Sequence, residues 1–288
     1  MNNKRNAVNI VIQGIPGSFH YEAAQWIFPD EEVIIFSEQS FLQLGESLQN
    51  NLAIDYGVMA IENSTAGSII QNYRIIRENR FRIVAEIYLP IIHNLISLPG
   101  QSIEDITEVR SHPMALNQCL GFLLQYPHLT QIATRDTASS VREIAENQTK
   151  GIAAIGSHSA AALYNLEIMH SAIQSSSINY TRFFLLQRDD RDVTVDSYNK
   201  ASIYLRTTHQ KGSLLKVLEK IYASDINISK LQSFPIEGNL NKYYFHLDLE
   251  FDNIENYKRV IPMIENVTQQ LDVLGVYTNG IQDIITSE

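Results

Sequence analysis

Thr181 and Arg182 stand where two kinds of chain meet. The polar, turn-prone run Ser177-Ile178-Asn179-Tyr180 leads into them, and Phe183-Phe184-Leu185-Leu186 follows as an apolar, strand-like run. A hydroxyl donor beside a cation, at the point where a loop enters a rigid strand, is the start of a site for an anionic substrate. The alternative is a surface arginine that only flanks a strand.

More hydroxyl, amide and backbone donors recur at five turns between a predicted strand and a predicted helix. Strand 8–13 passes through Gly14-Ile15-Pro16-Gly17-Ser18-Phe19-His20 to a helix over 21–28, and strand 56–61 through Glu62-Asn63-Ser64-Thr65-Ala66-Gly67-Ser68 to a helix over 69–78. Val109-Arg110 leads to Ser111-His112-Pro113, with Ser111 as the expected N-cap, and a helix over 114–124. Strand 132–134 passes through Arg135-Asp136-Thr137-Ala138-Ser139-Ser140 to helix 141–147, and strand 152–155 through Gly156-Ser157-His158-Ser159 to helix 160–165. Helix N-termini offer unpaired N–H groups, and in open α/β sheets such turns gather at the C-terminal ends of the strands. The expected result is a cleft suited to a small, polar, multiply charged anion. Each turn taken alone reads as a helix cap before it reads as a ligand contact.

The other reactive side chains carry less. His112 lies beside Ser111 and invites a general-acid role, but a loop-positioning role is expected. His20, His93 and His158 read as turn or core residues, since their spacing forms no metal-ligand set. The single cysteine, Cys119, excludes an intramolecular disulfide and reads as a small buried hydrophobe.

Composition agrees with a globular protein: 44% apolar residues and 19% charged residues over 288 residues, enough for two domains. A net charge of −10 argues against nucleic acid or an anionic membrane as partner, so an anionic substrate must be met by local donors. No apolar run is long enough for a membrane span, and residues 8–12 are too short for a signal peptide, so a cytoplasmic location is expected. The Asn-x-Ser/Thr triplets at Asn63, Asn147, Asn179, Asn227 and Asn266 read as chance matches.

The elements that position these residues form two α/β lobes with the site between them. One lobe is expected to span about 1–88 with 168–190 and the other 89–167, linked by extended runs at 81–89 and 91–98 on either side of Pro90. A charged stretch and residues 191–199 read as a linker. The segment 200–280 then gives strand, amphipathic helix (211–224), two extended segments (225–235 and 242–251), helix (255–271) and strand (273–278). That is the βαββαβ order of a ferredoxin-like module.

In this order and spacing, the motifs 14–20, 57–68 (GVMAIENSTAGS), 111–119 (SHPMALNQC), 151–164 and Thr181-Arg182-Phe183 resemble the prephenate dehydratase family with a C-terminal ACT regulatory domain. The resemblance implies a catalytic domain similar to type II periplasmic binding proteins, with no metal or organic cofactor. It implies decarboxylative dehydration of prephenate to phenylpyruvate, or the same reaction on arogenate. It implies Thr181 as the main catalytic residue, with Asn63, Ser111 and Gln118 lining the site. Arg182, Ser64, Ser68, Thr137 and Phe183 are the implied substrate contacts.

In the ACT module the family's Gly-Ala-Leu motif appears as Gly212-Ser213-Leu214, and its Glu-Ser-Arg-Pro motif as Gln232-Ser233-Phe234-Pro235. Exchanging arginine for phenylalanine removes both the charge and the guanidinium fork. L-Phenylalanine is the expected effector, held near Gly212, Ser213, Leu214, Asn227 and Ser233, with a homodimer or homotetramer built through these modules. No chorismate mutase domain is expected before Val8. From a different class, a non-catalytic amino-acid sensor would have the same architecture without need of the Thr181 hydroxyl.

Overall fold

The computed structural model describes residues 7–188, 198–236, 238 and 242–280. Most of the expected linker (191–197) lies outside them. Contacts divide the chain into two compact units, one of residues 7–69 with 88–183 and one of 70–87 with 184–280.

The chain opens with β1 (Ala7–Gln13), α1 (Phe19–Ile27), β2 (Glu32–Glu38), α2 (Phe41–Asn50), β3 (Tyr56–Asn63), β4 (Gly67–Ser68) and α3 (Ile70–Glu78). It continues with β5 (Arg82–Pro90), β6 (Asn94–Ser97), β7 (Glu108–Ser111), α4 (Pro113–Gln118), α5 (Leu120–Leu123), β8 (Thr130–Ala133) and α6 (Thr137–Asn147). Then come β9 (Ile152–Gly156), α7 (His158–Leu163), β10 (Glu167–His170) and β11 (Tyr180–Gln187).

Strands β1 to β11 form two sheets. One runs in the order β2-β1-β3-β11-β5, with β4 paired to β3, and β1 is parallel to both β2 and β3. The other runs β10-β6-β9-β7-β8, parallel across β9-β7-β8 and antiparallel across β10-β6-β9. Strand β9 shows why its sequence is apolar without alternation. Ala153 and Ile155 pack with Leu95, Val109 and Leu116 on one face, while Ile152 and Ala154 pack with Val141, Ile144 and Ala160 on the other. A strand buried on both faces has no polar side.

The single helix expected over 114–124 is two short ones, because Cys119 (φ −102°, ψ 9°) leaves helical geometry between α4 and α5. Strand β2 and helix α2 add a βα unit at 32–50 that the motif reading passes over.

The second unit holds β12 (Lys200–Arg206), α8 (Ser213–Tyr222), β13 (Asn227–Pro235), β14 (Tyr243–Glu250), α9 (Ile254–Glu265) and β15 (Gln270–Tyr277). The sheet order β13-β14-β12-β15, antiparallel throughout, is ferredoxin-like. Helix α9 ends before the expected residue 271 because the chain is already joining the ladder: the Gln269 N–H donates to the Arg206 carbonyl at 2.7 Å. On one face of the sheet Ile203, Leu205, Leu247 and Leu249 pack against Val217 and Ile221 of α8 and Val260 and Ile264 of α9. The opposite face takes helix α3. Its Tyr73 ring lies 4.6 Å from His246, and its Arg77 guanidinium lies 4.9 Å from the Tyr204 ring and 4.7 Å from the Tyr244 ring.

Candidate active site

Strand β11 brings Thr181 beside the end of β3, where Asn63 closes the strand. The Ser64 N–H donates to the Tyr180 carbonyl at 2.9 Å, and the Tyr180 N–H returns to Ser64 Oγ at 3.0 Å, so the two chain segments are clamped together. Asn63 then adopts an Asx turn. Its Oδ1 accepts from the Thr65 N–H (3.0 Å), the Ala66 N–H (2.9 Å) and the Thr65 hydroxyl (2.6 Å). Three donors on one oxygen fix which way the amide faces. The Nδ2 end must therefore point back, where it lies 3.0 Å from Thr181 Oγ1, 2.9 Å from Asn179 Oδ1 and 3.2 Å from the Tyr180 carbonyl.

These bonds form part of a closed ring that runs in one direction. Asn63 Nδ2 donates to Asn179 Oδ1, and Asn179 Nδ2 donates to Gln118 Oε1 at 3.2 Å. Gln118 Nε2 donates to Thr65 Oγ1 at 2.7 Å, and the Thr65 hydroxyl donates to Asn63 Oδ1. In such a chain each bond polarises the next. Thr181 and Asn179 form the buried floor, while Ser64 and Thr65 are exposed and Gln118 is half-buried. Thr181 Oγ1 accepts from Asn63, which leaves the hydroxyl's own proton to be donated to a ligand.

The remaining expected site residues are arranged differently. Ser111 is fully buried and donates to the Ile155 carbonyl at 2.7 Å; it ends β7, and the N-cap of α4 is His112, whose Nδ1 accepts from the Met114 N–H at 3.2 Å. Arg182 follows Thr181 in a strand, so the two side chains leave opposite faces of the sheet, and the Arg182 guanidinium lies 5.7 Å from the Tyr88 ring centre. Phe183 is a core residue, edge-on to His20 at 5.0 Å. Ser68 pairs with Glu62 in the β3–β4 hairpin, and Thr137 opens α6 behind its cap, Asp136. Four of the five turns are closed by side-chain caps, from Ser18, His112, Asp136 and Ser157. The turn after β3 is the one that supplies the hydroxyl's partner.

Three members of the network were not picked out as site residues from sequence: Asn179, Thr65 and His93. Asn179 and Thr65 lie inside quoted motifs, but nothing in their spacing says that residues 63, 118 and 179 meet. His93 Nε2 lies 2.8 Å from Gln118 Oε1. Burial lowers the pKa of His93 from its ordinary value, and the Gln118 hydrogen bond opposes this only in part. His20 is held neutral by burial, its pKa pushed down to about 3, and its Nε2 accepts from the Ala60 N–H. Burial pushes the Cys119 thiol up to about 12, so it is no nucleophile.

The second unit carries its own cleft, of about 500 Å³, lined by residues that include Arg206, Thr208, Gly212, Ser213, Leu214 and Lys242. Gly212 takes φ +78° at the start of α8, a conformation that favours glycine, and Thr208 Oγ1 lies 2.8 Å from Ser213 Oγ. Asn227 and Ser233 are not in its lining; Asn227 donates to Glu250 at 3.1 Å. Phe234 is buried against Tyr73 (5.6 Å) and Tyr204 (6.2 Å). No group of His, Cys, Asp and Glu among the described residues is arranged to hold a metal ion, and none of their helices is long and apolar enough to cross a membrane.

A family model described as prephenate dehydratase matches residues 10–191. Arogenate dehydratase/prephenate dehydratase 1, chloroplastic, of Arabidopsis thaliana is 32% identical over 285 residues, 94% of this chain and 72% of its own length. Among solved structures, a prephenate dehydratase in complex with L-Phe from Arthrobacter aurescens superposes with a TM-score of 0.85 at 21% identity, over 96% of this chain and 91% of that one. A protein described as GqqA, a novel type of quorum quenching acylase, gives a TM-score of 0.84 at 25% identity, over 95% of this chain and 99% of its own.

Proposed function

Because this chain belongs to the prephenate dehydratase family, we propose that it converts prephenate to phenylpyruvate, water and carbon dioxide, with Thr181 as the residue that assists the leaving hydroxyl. In this reaction the bond between the ring and its carboxylate breaks, and the electron pair passes through the diene to expel the hydroxyl. The hydroxyl takes up one proton and leaves as water, and the ring becomes aromatic. A threonine hydroxyl is too weak an acid to protonate the leaving group outright. It donates a hydrogen bond that strengthens as the C–O bond lengthens, which favours the transition state over the bound substrate.

The single observation that carries this reading is the 3.0 Å bond from the fixed Asn63 amide to Thr181 Oγ1, because it orients the hydroxyl with its own proton outward. Asn63, Gln118 and Thr65 add neutral donors and acceptors around a dianion without trapping it as a cation would. Arg182, the implied carboxylate partner, is buried on the face of β11 opposite Thr181 and does not face the same ligand. Acyl transfer, the activity named for GqqA, calls for a hydroxyl activated by a base. Among the described residues no histidine bonds Thr181, so dehydration fits the site better.

The Arabidopsis relative is named for both arogenate and prephenate, so the two substrates are tested together. Turnover of each is followed by its product, phenylpyruvate or phenylalanine. Conversion of prephenate that collapses in Thr181→Ala, with ligand binding retained, supports the reading. A preference for arogenate moves the substrate but keeps the chemistry. No turnover of either rejects the enzyme in favour of a sensor.

L-Phenylalanine is the proposed effector, at the cleft beside Gly212, Ser213 and Leu214, in keeping with the L-Phe complex of the Arthrobacter protein. We further propose assembly as a homodimer or homotetramer through the C-terminal modules. A monomeric mass by light scattering, with and without phenylalanine, would reject that assembly.

A further inference from the structure

His93 is 3% exposed and is tied down by its backbone. Its N–H donates to Gln174 Oε1 and its carbonyl accepts from the Ile173 N–H, both at 2.9 Å, while Phe19 packs edge-on to the ring at 5.5 Å. Nε2 faces Gln118 Oε1 at 2.8 Å, and Nδ1 is buried with no hydrogen-bond partner. The direction of the amide ring decides the tautomer. Gln118 gives its Nε2 to Thr65 and receives Asn179 on Oε1, so the atom it turns to His93 is an acceptor. The proton of a neutral His93 must then sit on Nε2, and a second proton on Nδ1 would find no acceptor.

Without that donor, Gln118 Oε1 keeps only the longer bond from Asn179, and the barrier to turning the amide over falls. A turned Gln118 would present Nε2 to Asn179, Asn179 would turn in response, and its Nδ2 would then face the Nδ2 of Asn63. Asn63 cannot follow, because its Oδ1 is held by the N–H groups of Thr65 and Ala66. Two donors would meet and push Asn63 away from Thr181.

Resting on the dehydratase reading, we propose that His93 is a positioning residue for the reaction: its Nε2–H is the second donor on Gln118 Oε1 and holds the ring Asn63–Asn179–Gln118–Thr65 in the direction that the Asx turn at Asn63 sets, so that Asn63 stays aimed at the Thr181 hydroxyl. His93 neither touches the reacting atoms nor exchanges a proton with them.

The test combines a tautomer readout with a double-mutant cycle on the full-length chain. Nitrogen-15 NMR of the imidazoles in the wild-type protein at pH 8 should show His93 as the neutral Nε2–H form. His93→Leu should lower kcat on the order of 10²-fold with KM changed far less, the size expected when a reacting group is displaced by about an ångström. In a Gln118→Leu background the same substitution should cause no further fall, and His93→Gln, which can carry an N–H to the same place, should recover part of the loss. A kcat within about twofold of wild type in His93→Leu, losses that multiply in the double mutant, or an Nδ1–H tautomer would each overturn the proposal. If the wild type turns over neither substrate, the functional reading fails by itself, and the tautomer still decides the geometry.

Discussion

The side-chain amide of Asn63 donates to the hydroxyl of Thr181 across 3.0 Å, joining residues 118 positions apart in the chain. The bond depends on the Asx turn that follows Asn63, because three donors on Oδ1 leave Nδ2 no other direction. Asn63→Asp keeps the shape and exchanges the donor for an acceptor. We expect kcat to fall by about 10²–10³, as for loss of one oriented donor to a reacting centre, with the circular dichroism spectrum unchanged. An Asn63→Asp enzyme with wild-type kcat would rule out the orienting role.

Lys200 and Glu86 form a buried ion pair at 2.8 Å, with Lys200 1% exposed and Glu86 3%. Glu250 lies 3.4 Å from the same ammonium, and the Gly280 N–H donates to Glu86 at 3.2 Å. Removing one charge leaves the other buried, which costs about 3–5 kcal/mol. Lys200→Met should therefore lower the urea midpoint strongly, and adding Glu86→Leu should restore much of it. Equal stability of the single and double variants would show that the pair is not coupled.

Phe234 is part of an aromatic cluster with Tyr73 and Tyr204. Phe234→Ala is expected to cost about 3–5 kcal/mol of folding stability by opening a cavity. Phe234→Arg puts a cation into the same buried space and should destabilise as well. Thermal unfolding of both variants checks this; a rise in Tm for the arginine variant would contradict the packing argument.

The buried imidazole of His20 makes stability fall in acid. Its folded pKa, about 3, lies below the ordinary 6.5, so between these values the unfolded chain binds the extra proton and the folded chain does not. The stabilisation is complete above pH 6.5 and is lost as pH falls toward 3. The lowered pKa of His93 adds a contribution of the same sign. His20→Gln, which keeps an acceptor for the Ala60 N–H, should flatten the slope of unfolding free energy against pH over this range. A variant with an unchanged slope would place the acid sensitivity elsewhere.

Much of the fold is legible in local patterns. The recurring strand–turn–helix segments and the βαββαβ order of 200–280 follow from apolar runs, turn residues and period-2 alternation, all of which act over a few residues. Other features depend on distant packing. The alternation in β14 separates Phe245, Leu247 and Leu249 from Tyr244, His246 and Asp248, yet both His246 and Asp248 are fully buried. Ser202 donates to Asp248 at 2.6 Å, His246 lies 2.9 Å from it, and Tyr73 of α3 packs over His246. No pattern around residue 73 announces that its helix belongs on that sheet.

For the site, the sequence alone determined which segments carry hydroxyls and amides at strand ends, those of Asn63 and Thr181 among them, while Gln118, inside a helical segment, was singled out by the resemblance to the family's motifs. It also set Thr181 and Arg182 side by side along the chain. The tertiary structure decided that strand pleating sends those two neighbours to opposite faces. It also decided that Asn179, Thr65 and His93 complete the surroundings of the threonine. The physical reason is that hydrogen-bond direction is a property of the closed ring. Asn63 takes its orientation from its own turn, but Asn179 and Gln118 read theirs from partners 116 and 61 positions away, and no segment contains enough of the ring to choose it.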